Sequence, residues 1–175
     1  MAERYRRHHP GRLGGSAQAA QPTAAPRSLP PGGRPGTLDA MLRLPAGVYS
    51  EIVAHCLRGL PDEACGLVSG DPATGLVDRC YPTRNLAASA KLYTVDPAEH
   101  LRADRDAEER GSEIIGVFHS HTHTDAYPSP TDIAQAPDPG WHYVVVSLRD
   151  SHPTLRSYRI QGDVVDEESV VVEPR

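Results

Sequence analysis

The chain predicts an α/β (α+β) domain, a central sheet flanked by helices, and three observations carry that expectation. Two short, continuously apolar runs, IIGVF at 114–118 and YVVVSL at 143–148, have the profile of strands covered on both faces. Apolar residues between 45 and 60 recur at helical spacing, and a second helix start is written at Asp96-Pro97-Ala98-Glu99. Strands mixed with two or three helices pack as layers around one core. The 175 residues are enough for one domain of ordinary size.

Residues 1–40 come first and are of a different kind. They are rich in Pro, Gly, Ala, Gln, Ser and Arg, as in QPTAAPRSLPPGGRPG, with little that is branched or aromatic. Such a segment cannot offset its ordering entropy and is expected to be a disordered tail. It places His8 and His9 outside any constructed site. Met41 opens the foldable part, MLRLPAGVYSEIV, and is a candidate second start of translation.

From Pro45, the positions Val48, Ile52, Val53, Cys56, Leu57 and Leu60 form the apolar stripe of a first helix. CGLVSG at 65–70 reads as a strand, and LVDRCYP at 76–82 as its antiparallel neighbour across a Gly/Asp/Pro turn. The Asp96 helix has an acceptor at its N-cap and proline at its first position, and runs to Gly111. IIGVF, YVVVSL, LRSYRI and the valine-rich end (Val164, Val165, Val170, Val171, Val172) supply the remaining strands.

Composition excludes several function classes. Within 1–38, six arginines face one acid, a net of about +5, which leaves the rest of a chain of net charge −5 strongly acidic. The folded part therefore does not resemble a nucleic-acid binder. No apolar run approaches a membrane span or the core of a signal peptide, so a cytoplasmic protein without membrane contact is expected. Cys56, Cys65 and Cys80 have no paired spacing and read as free thiols.

The stretch GVFHSHTHTDAYPSPTD at 116–132 carries the chemistry. His119 and His121 stand at i and i+2 after a buried strand, so extended backbone projects both to one side. Asp132 lies eleven residues beyond His121, close enough for the chain to return a carboxylate to the same point. Two histidines and a carboxylate are a known ligand set for catalytic zinc, which lowers the pKa of water to about 7. Ser129-Pro130-Thr131-Asp132 also reads as a helix N-terminus, and the two readings are compatible. His123 either sits near the metal or marks the loop. His55, His100, His142 and His152 read as surface or satisfied core residues.

A zinc hydrolase needs a base that is not a ligand. Glu63, in LPDEACGLVSG, stands just before a strand that could lie beside 114–118; a solvated turn acid is the alternative. The motifs HExxH, GxSxG, GxGxxG and the P-loop are absent from the sequence, as is the CxxC of zinc deaminases. Cys65, between Ala64 and Gly66, reads as a packing residue rather than a nucleophile.

Glu63, then His119-Ser120-His121, seven residues, Ser129, two residues and Asp132 resembles the JAMM (MPN+) metalloprotease motif at every defining position. The likeness extends from about Leu42. PDEACGLVSG, KLYTVDPAEHLRADRDAEERG and HYVVVSLRD are similar to the actinobacterial Mec-like branch, whose members release a cysteine from the C-terminus of a ubiquitin-like sulfur-carrier protein. The resemblance implies the MPN/JAMM fold, a central mixed sheet flanked by helices with deaminase-like architecture. It implies Zn2+ held by His119, His121 and Asp132. Glu63 would be general acid and base, and Ser129 a hydroxyl donor to the oxyanion. The implied partner is a sulfur carrier with a Gly-Gly tail, its adduct cleaved in a cysteine synthesis route; a homodimer is compatible with the sequence. Two alternatives stay open, a JAMM peptidase for another carrier precursor or peptide substrate and a non-catalytic MPN scaffold. Scaffold members typically lack the ligand set that this chain retains. The long N-terminal tail and His123 depart from the pattern without touching the catalytic set.

Overall fold

The structure, a computed structural model, describes residues 41–174; the segment 1–40, expected to be disordered, lies outside the described residues, as does Arg175. Among the described residues the order is β1 (Met41–Pro45), α1 (Ala46–Gly59), β2 (Cys65–Asp71), β3 (Leu76–Thr83), α2 (Pro97–Glu109), β4 (Glu113–His121), α3 (Pro130–Ala134), β5 (His142–Ser147), β6 (Thr154–Gln161) and β7 (Val164–Glu173). The strands form a mixed sheet in the order β1-β3-β2-β4-β5-β6-β7 that closes on itself as a barrel. β4 with β5 and β1 with its neighbours are parallel, and the other pairs antiparallel.

The expected elements are present, and three details differ. Residues 41–45, for which the sequence alone predicts no element, are the strand that closes the barrel. Leu42 and Leu44 alternate inward and are fully buried. β1 lies along β7 from Met41↔Ser169 to Pro45↔Glu173, and meets β3 only at Arg43↔Leu76. Two inward residues directly before a helix are too short a pattern for periodicity to register. In α1 the buried stripe is Val48, Ile52 and Cys56, narrower than expected, and Leu57 and Leu60 are each 48% exposed. The third difference is that β4 does not end at Phe118 but continues through both histidines.

The runs IIGVF and YVVVSL are apolar throughout because each face of the sheet has its own core. Phe118, Val144 and Val146 pack with Leu42, Leu44 and Ile52 on the α1 side. Val117, Tyr143 and Val145 pack with Ala103 of α2 and Tyr158 of β6 on the other. α2 starts as its sequence predicts: the Asp96 carboxylate accepts from the Ala98 and Glu99 amides, with Pro97 at the first turn.

Gly66 of β2 lies opposite Phe118 of β4 and Pro82 of β3. A Cβ there would stand 2.4 Å from the Phe118 ring and 2.4 Å from the Tyr81 carbonyl oxygen, which is backbone and cannot swing aside. Gly66→Ala is therefore expected to cost about 1–3 kcal/mol as overpacking, read as a lower urea midpoint with an unchanged slope.

A buried polar network joins β5, β6 and β7. Glu168 Oε1 accepts from His142 Nδ1 at 2.7 Å and from Ser157 Oγ at 2.6 Å, while Oε2 accepts from Arg159 Nε at 3.1 Å. Burial alone would raise the Glu168 carboxyl, but the His142 and Ser157 hydrogen bonds and the Arg159 charge outweigh it, and the net shift is downward. A carboxyl depressed on folding contributes stability that is present above its unfolded pKa, about 4.3, and is lost as pH falls through its folded value. Glu168→Gln should cost about 3 kcal/mol at pH 7, because it leaves Arg159 without its carboxylate. In denaturation curves the gap from the unsubstituted protein should begin to narrow only below about pH 4.3 and close as pH falls through the lowered folded pKa.

Candidate metal centre

The two-residue period of β4 decides which of its side chains face the site. In extended backbone, Val117, His119 and His121 share one face and Phe118 and Ser120 the other. β4 is held on both sides through this stretch, His119 pairing with Cys65 of β2 and with Val145 of β5, and His121 with Ser147 of β5. A central strand is a rigid mount for two ligands. Their Nε2 atoms lie 3.1 Å apart.

Asp132 comes from the start of α3. Ser129 is the N-cap, its Oγ accepting from the Asp132 amide at 3.2 Å, and Asp132 Oδ2 accepts from the Ser129 amide at 2.6 Å. This capping box, with Pro130 at the first position, aims the carboxylate. The same Oδ2 lies 3.4 Å from Nε2 of His119 and 3.4 Å from Nε2 of His121. A tetrahedral ion with bonds of about 2.0–2.1 Å has donor–donor edges of about 3.3–3.4 Å. The separations of 3.1, 3.4 and 3.4 Å match that triangle, so the three residues can hold a metal ion.

The surroundings set the ligands' protonation. His121 Nδ1 faces the Asp125 carbonyl oxygen at 2.8 Å. A carbonyl only accepts, so Nδ1 carries the proton and the Nε2 lone pair is directed at the cluster. The loop that offers this carbonyl is itself pinned by its neighbours. Ser147 Oγ donates to the Thr124 carbonyl at 2.6 Å, Arg149 pairs with Asp125 at 2.7 Å, and Tyr158 donates to the Ala126 carbonyl. His119 is buried beneath Tyr93, the rings stacked at 4.3 Å and 18°. Burial lowers the His119 pKa despite Asp132, which favours the imidazole form that ligates. Burial also acts on His121, but hydrogen bonds to Asp132 and Asp125 outweigh it and raise that pKa. Burial opposes the Asp132 charge, yet the two imidazoles hold its carboxyl well below the usual carboxylate range.

Glu63 reaches the same place from the segment just before β2. Ala64 and Ser120 are doubly joined, Ala64 N–H to Ser120 Oγ at 2.9 Å and Ser120 N–H to the Ala64 carbonyl at 2.9 Å. Glu63 is thereby set beside the cluster, where the charges of His121 and Asp132 act on it. Its carboxyl is pushed up to about 7, chiefly by burial. It is 6% exposed, which excludes the solvated turn acid.

The structure thus brings together Glu63, His119, His121, Ser129 and Asp132. His123 is exposed, its Nδ1 2.6 Å from Thr122 Oγ1, and marks the loop. His142 is a satisfied core residue, and His55 is half-buried with Nε2 on the Cys65 carbonyl at 3.1 Å. Cys65 is buried, lies 3.4 Å from Thr83 Oγ1, and has its thiol pushed up to about 11 by burial, so it packs rather than attacks. Tyr93, Ser120 and the Asp125 carbonyl support the site from outside the residues to which the sequence gives a role. Ser120 alone had a signal in the sequence, since a polar residue between two alternating ligands must face the opposite core.

Comparison with known proteins identifies a family. The family model described as prokaryotic homologs of the JAB domain matches residues 45–161. A Mycobacterium tuberculosis protein named CysO-cysteine peptidase is 41% identical over 140 residues, 79% of this chain and 95% of its own. A desampylase of Haloferax volcanii is 34% identical over 140 residues, 77% of this chain and 99% of its own. A protein from Desulfitobacterium hafniense, solved in solution, superposes with a TM-score of 0.72 at 37% identity, covering 77% of this chain and 94% of that one. The chain belongs to the prokaryotic JAB-domain family of JAMM metallopeptidases.

Proposed function

We propose that the chain is a zinc-dependent peptidase that hydrolyses the bond joining a C-terminal cysteine to the Gly-Gly tail of a ubiquitin-like sulfur carrier, releasing cysteine in the cytoplasm. The observation that carries the chemistry is the convergence of His119, His121 and Asp132 at tetrahedral-edge distances beside Glu63, a buried carboxyl poised at about 7. The substrate follows from likeness to the CysO-cysteine peptidase over most of both chains.

His119, His121 and Asp132 are the residues that would hold the ion. When bound, a divalent cation supplies Lewis acidity to water and to the scissile carbonyl. Glu63 does the proton work: as carboxylate it takes a proton from the attacking water, and as acid it returns one to the departing amine. A carboxyl near neutral pKa suits both halves of that exchange. Ser129 turns its hydroxyl proton to the carbonyl oxygen as negative charge gathers there. The hydroxyl oxygen still accepts from the Asp132 amide, so the donor is pre-aimed. Burial of the cluster excludes bulk water and strengthens each of these interactions.

A second reading keeps the chemistry and changes the bond. The Haloferax volcanii relative is a desampylase, and a Thermus thermophilus protein named as a probable TtuB-protein conjugate cleaving protease is 36% identical over 107 residues. Cleavage of carrier–protein conjugates is therefore the alternative activity.

A carrier ending Gly-Gly-Cys, incubated with the zinc-loaded chain, is expected to yield free cysteine faster than a carrier–lysine conjugate is cleaved. The reverse order would favour the second reading, and no hydrolysis of either would remove both. Glu63→Gln should lower kcat by about 10³-fold while zinc is retained in chelator competition. Ser129→Ala should lower kcat by about 10²-fold and stability by about 1 kcal/mol, since it removes both the oxyanion donor and the cap. Chelation of the metal should stop hydrolysis, and zinc should restore it.

A further inference from the structure

The loop between β3 and α2 folds around one side chain. Asn85 Nδ2 donates to the Leu92 carbonyl at 2.9 Å and, outside the loop, to the Glu63 carbonyl at 2.8 Å. Asn85 Oδ1 accepts from the Ala87 amide at 3.0 Å and from the Thr94 amide at 2.9 Å. A primary amide has two donors and two lone pairs, so every hydrogen bond that Asn85 can make is made within the protein. The loop also takes the other polar group of the same residue, the Glu63 amide donating to the Ser89 carbonyl at 2.8 Å. Glu63 precedes β2, so no strand neighbour fixes its peptide groups and the loop does so instead.

The loop needs that hub. Ala88 has a φ of 43°, in the left-handed region that a residue with a Cβ avoids, at a cost of about 1–3 kcal/mol. Such a conformation persists only where the surroundings over-determine it, and the Asn85 contacts at 87, 92 and 94 bracket Ala88 on both sides.

We infer that Asn85 is a positioning residue for Glu63: by holding its carbonyl, and by keeping the loop in the shape that binds its amide, Asn85 sets the direction in which the Glu63 carboxylate meets the His119–His121–Asp132 cluster. The inference rests on the role proposed for Glu63. None of the four contacts of Asn85 is to a metal-binding side chain; those at Leu92 and Thr94 flank Tyr93, whose ring stacks on His119, while the ligands themselves are mounted on β4 and the start of α3.

The test uses the full chain and two variants. Asn85→Asp is nearly isosteric and keeps the acceptor for Ala87 and Thr94, but removes the donors to Glu63 and Leu92. Asn85→Ala removes all four contacts. Amide hydrogen exchange at Glu63 should quicken by about tenfold or more in both variants, with β5 amides unchanged, since only a local opening is promoted. Zinc affinity, measured by chelator competition with zinc alone, should stay within about twofold, because the β4–β5 pairing and the α3 capping box, not the loop, hold the three ligands. With a carrier ending Gly-Gly-Cys, kcat should fall by about 100-fold, the effect of misplacing a catalytic group by about 1 Å, and KM by far less. Wild-type exchange at Glu63 and wild-type kcat in Asn85→Asp would overturn the inference, as would a loss carried by zinc affinity or by KM. If Asn85→Ala does not fold, Asn85→Asp decides. If the unsubstituted protein does not hydrolyse the carrier, the proposed function fails by itself, and the exchange and zinc measurements still judge Asn85.

Discussion

The pairing of β2 with β4 is the constraint on which the site depends. Cys65 lies opposite His119 in that ladder, and the two bonds between Ala64 and Ser120 extend it beyond the first residue of β2, joining residues 56 positions apart. Without this register Glu63 and the histidines would be on unrelated surfaces. A slip of one residue would turn His119 and His121 to the α1 side and Ser120 to theirs, because the side-chain period of a strand is two. The apolar alternation of Val117 and Phe118 against two separate cores fixes that register, so core packing and ligand placement are specified by the same residues.

Three acids illustrate how surroundings divide roles among like groups. Burial opposes ionisation in Glu63, Asp132 and Glu168 alike. Asp132 and Glu168 receive hydrogen bonds from imidazoles, hydroxyl or backbone donors, and the pKa of each falls below its ordinary value. Glu63 is given no such donor, and its pKa rises. One environment makes a ligand or a structural anion, and the other makes a group that can exchange protons near neutral pH.

Much of the fold was legible because the two apolar runs and the two helix starts are local signals. The cluster of candidate metal ligands was legible because its spacing is long and specific. β1 was not, since its two inward residues acquire meaning only when β7, far along the chain, lies beside them. The narrower stripe of α1 was hidden for a related reason: Leu57 and Leu60 are apolar at plausible positions, and only the packed structure tells which apolar residues find a partner. Asn85 and Tyr93 lie in a loop with no period, where hydrogen-bond saturation and ring stacking leave no trace in residue spacing.

The double reading of Ser129-Pro130-Thr131-Asp132 resolves into one statement. A capping box needs a hydroxyl at the N-cap and an acid three residues on, and here the acid's Oδ2 accepts the Ser129 amide while facing both histidines. α3 has only five residues, too few to be stable by its own propensity. Its start is held by Ser129 and Asp132, and the orientation of Asp132 is held by that start. Helix initiation and ligand placement are therefore a single cooperative unit, in which the positive charge of a bound cation would favour the same Asp132 rotamer that the cap requires. On this account Ser129 places the ligand through its oxygen, and its hydroxyl proton is the one to which the proposed oxyanion role falls.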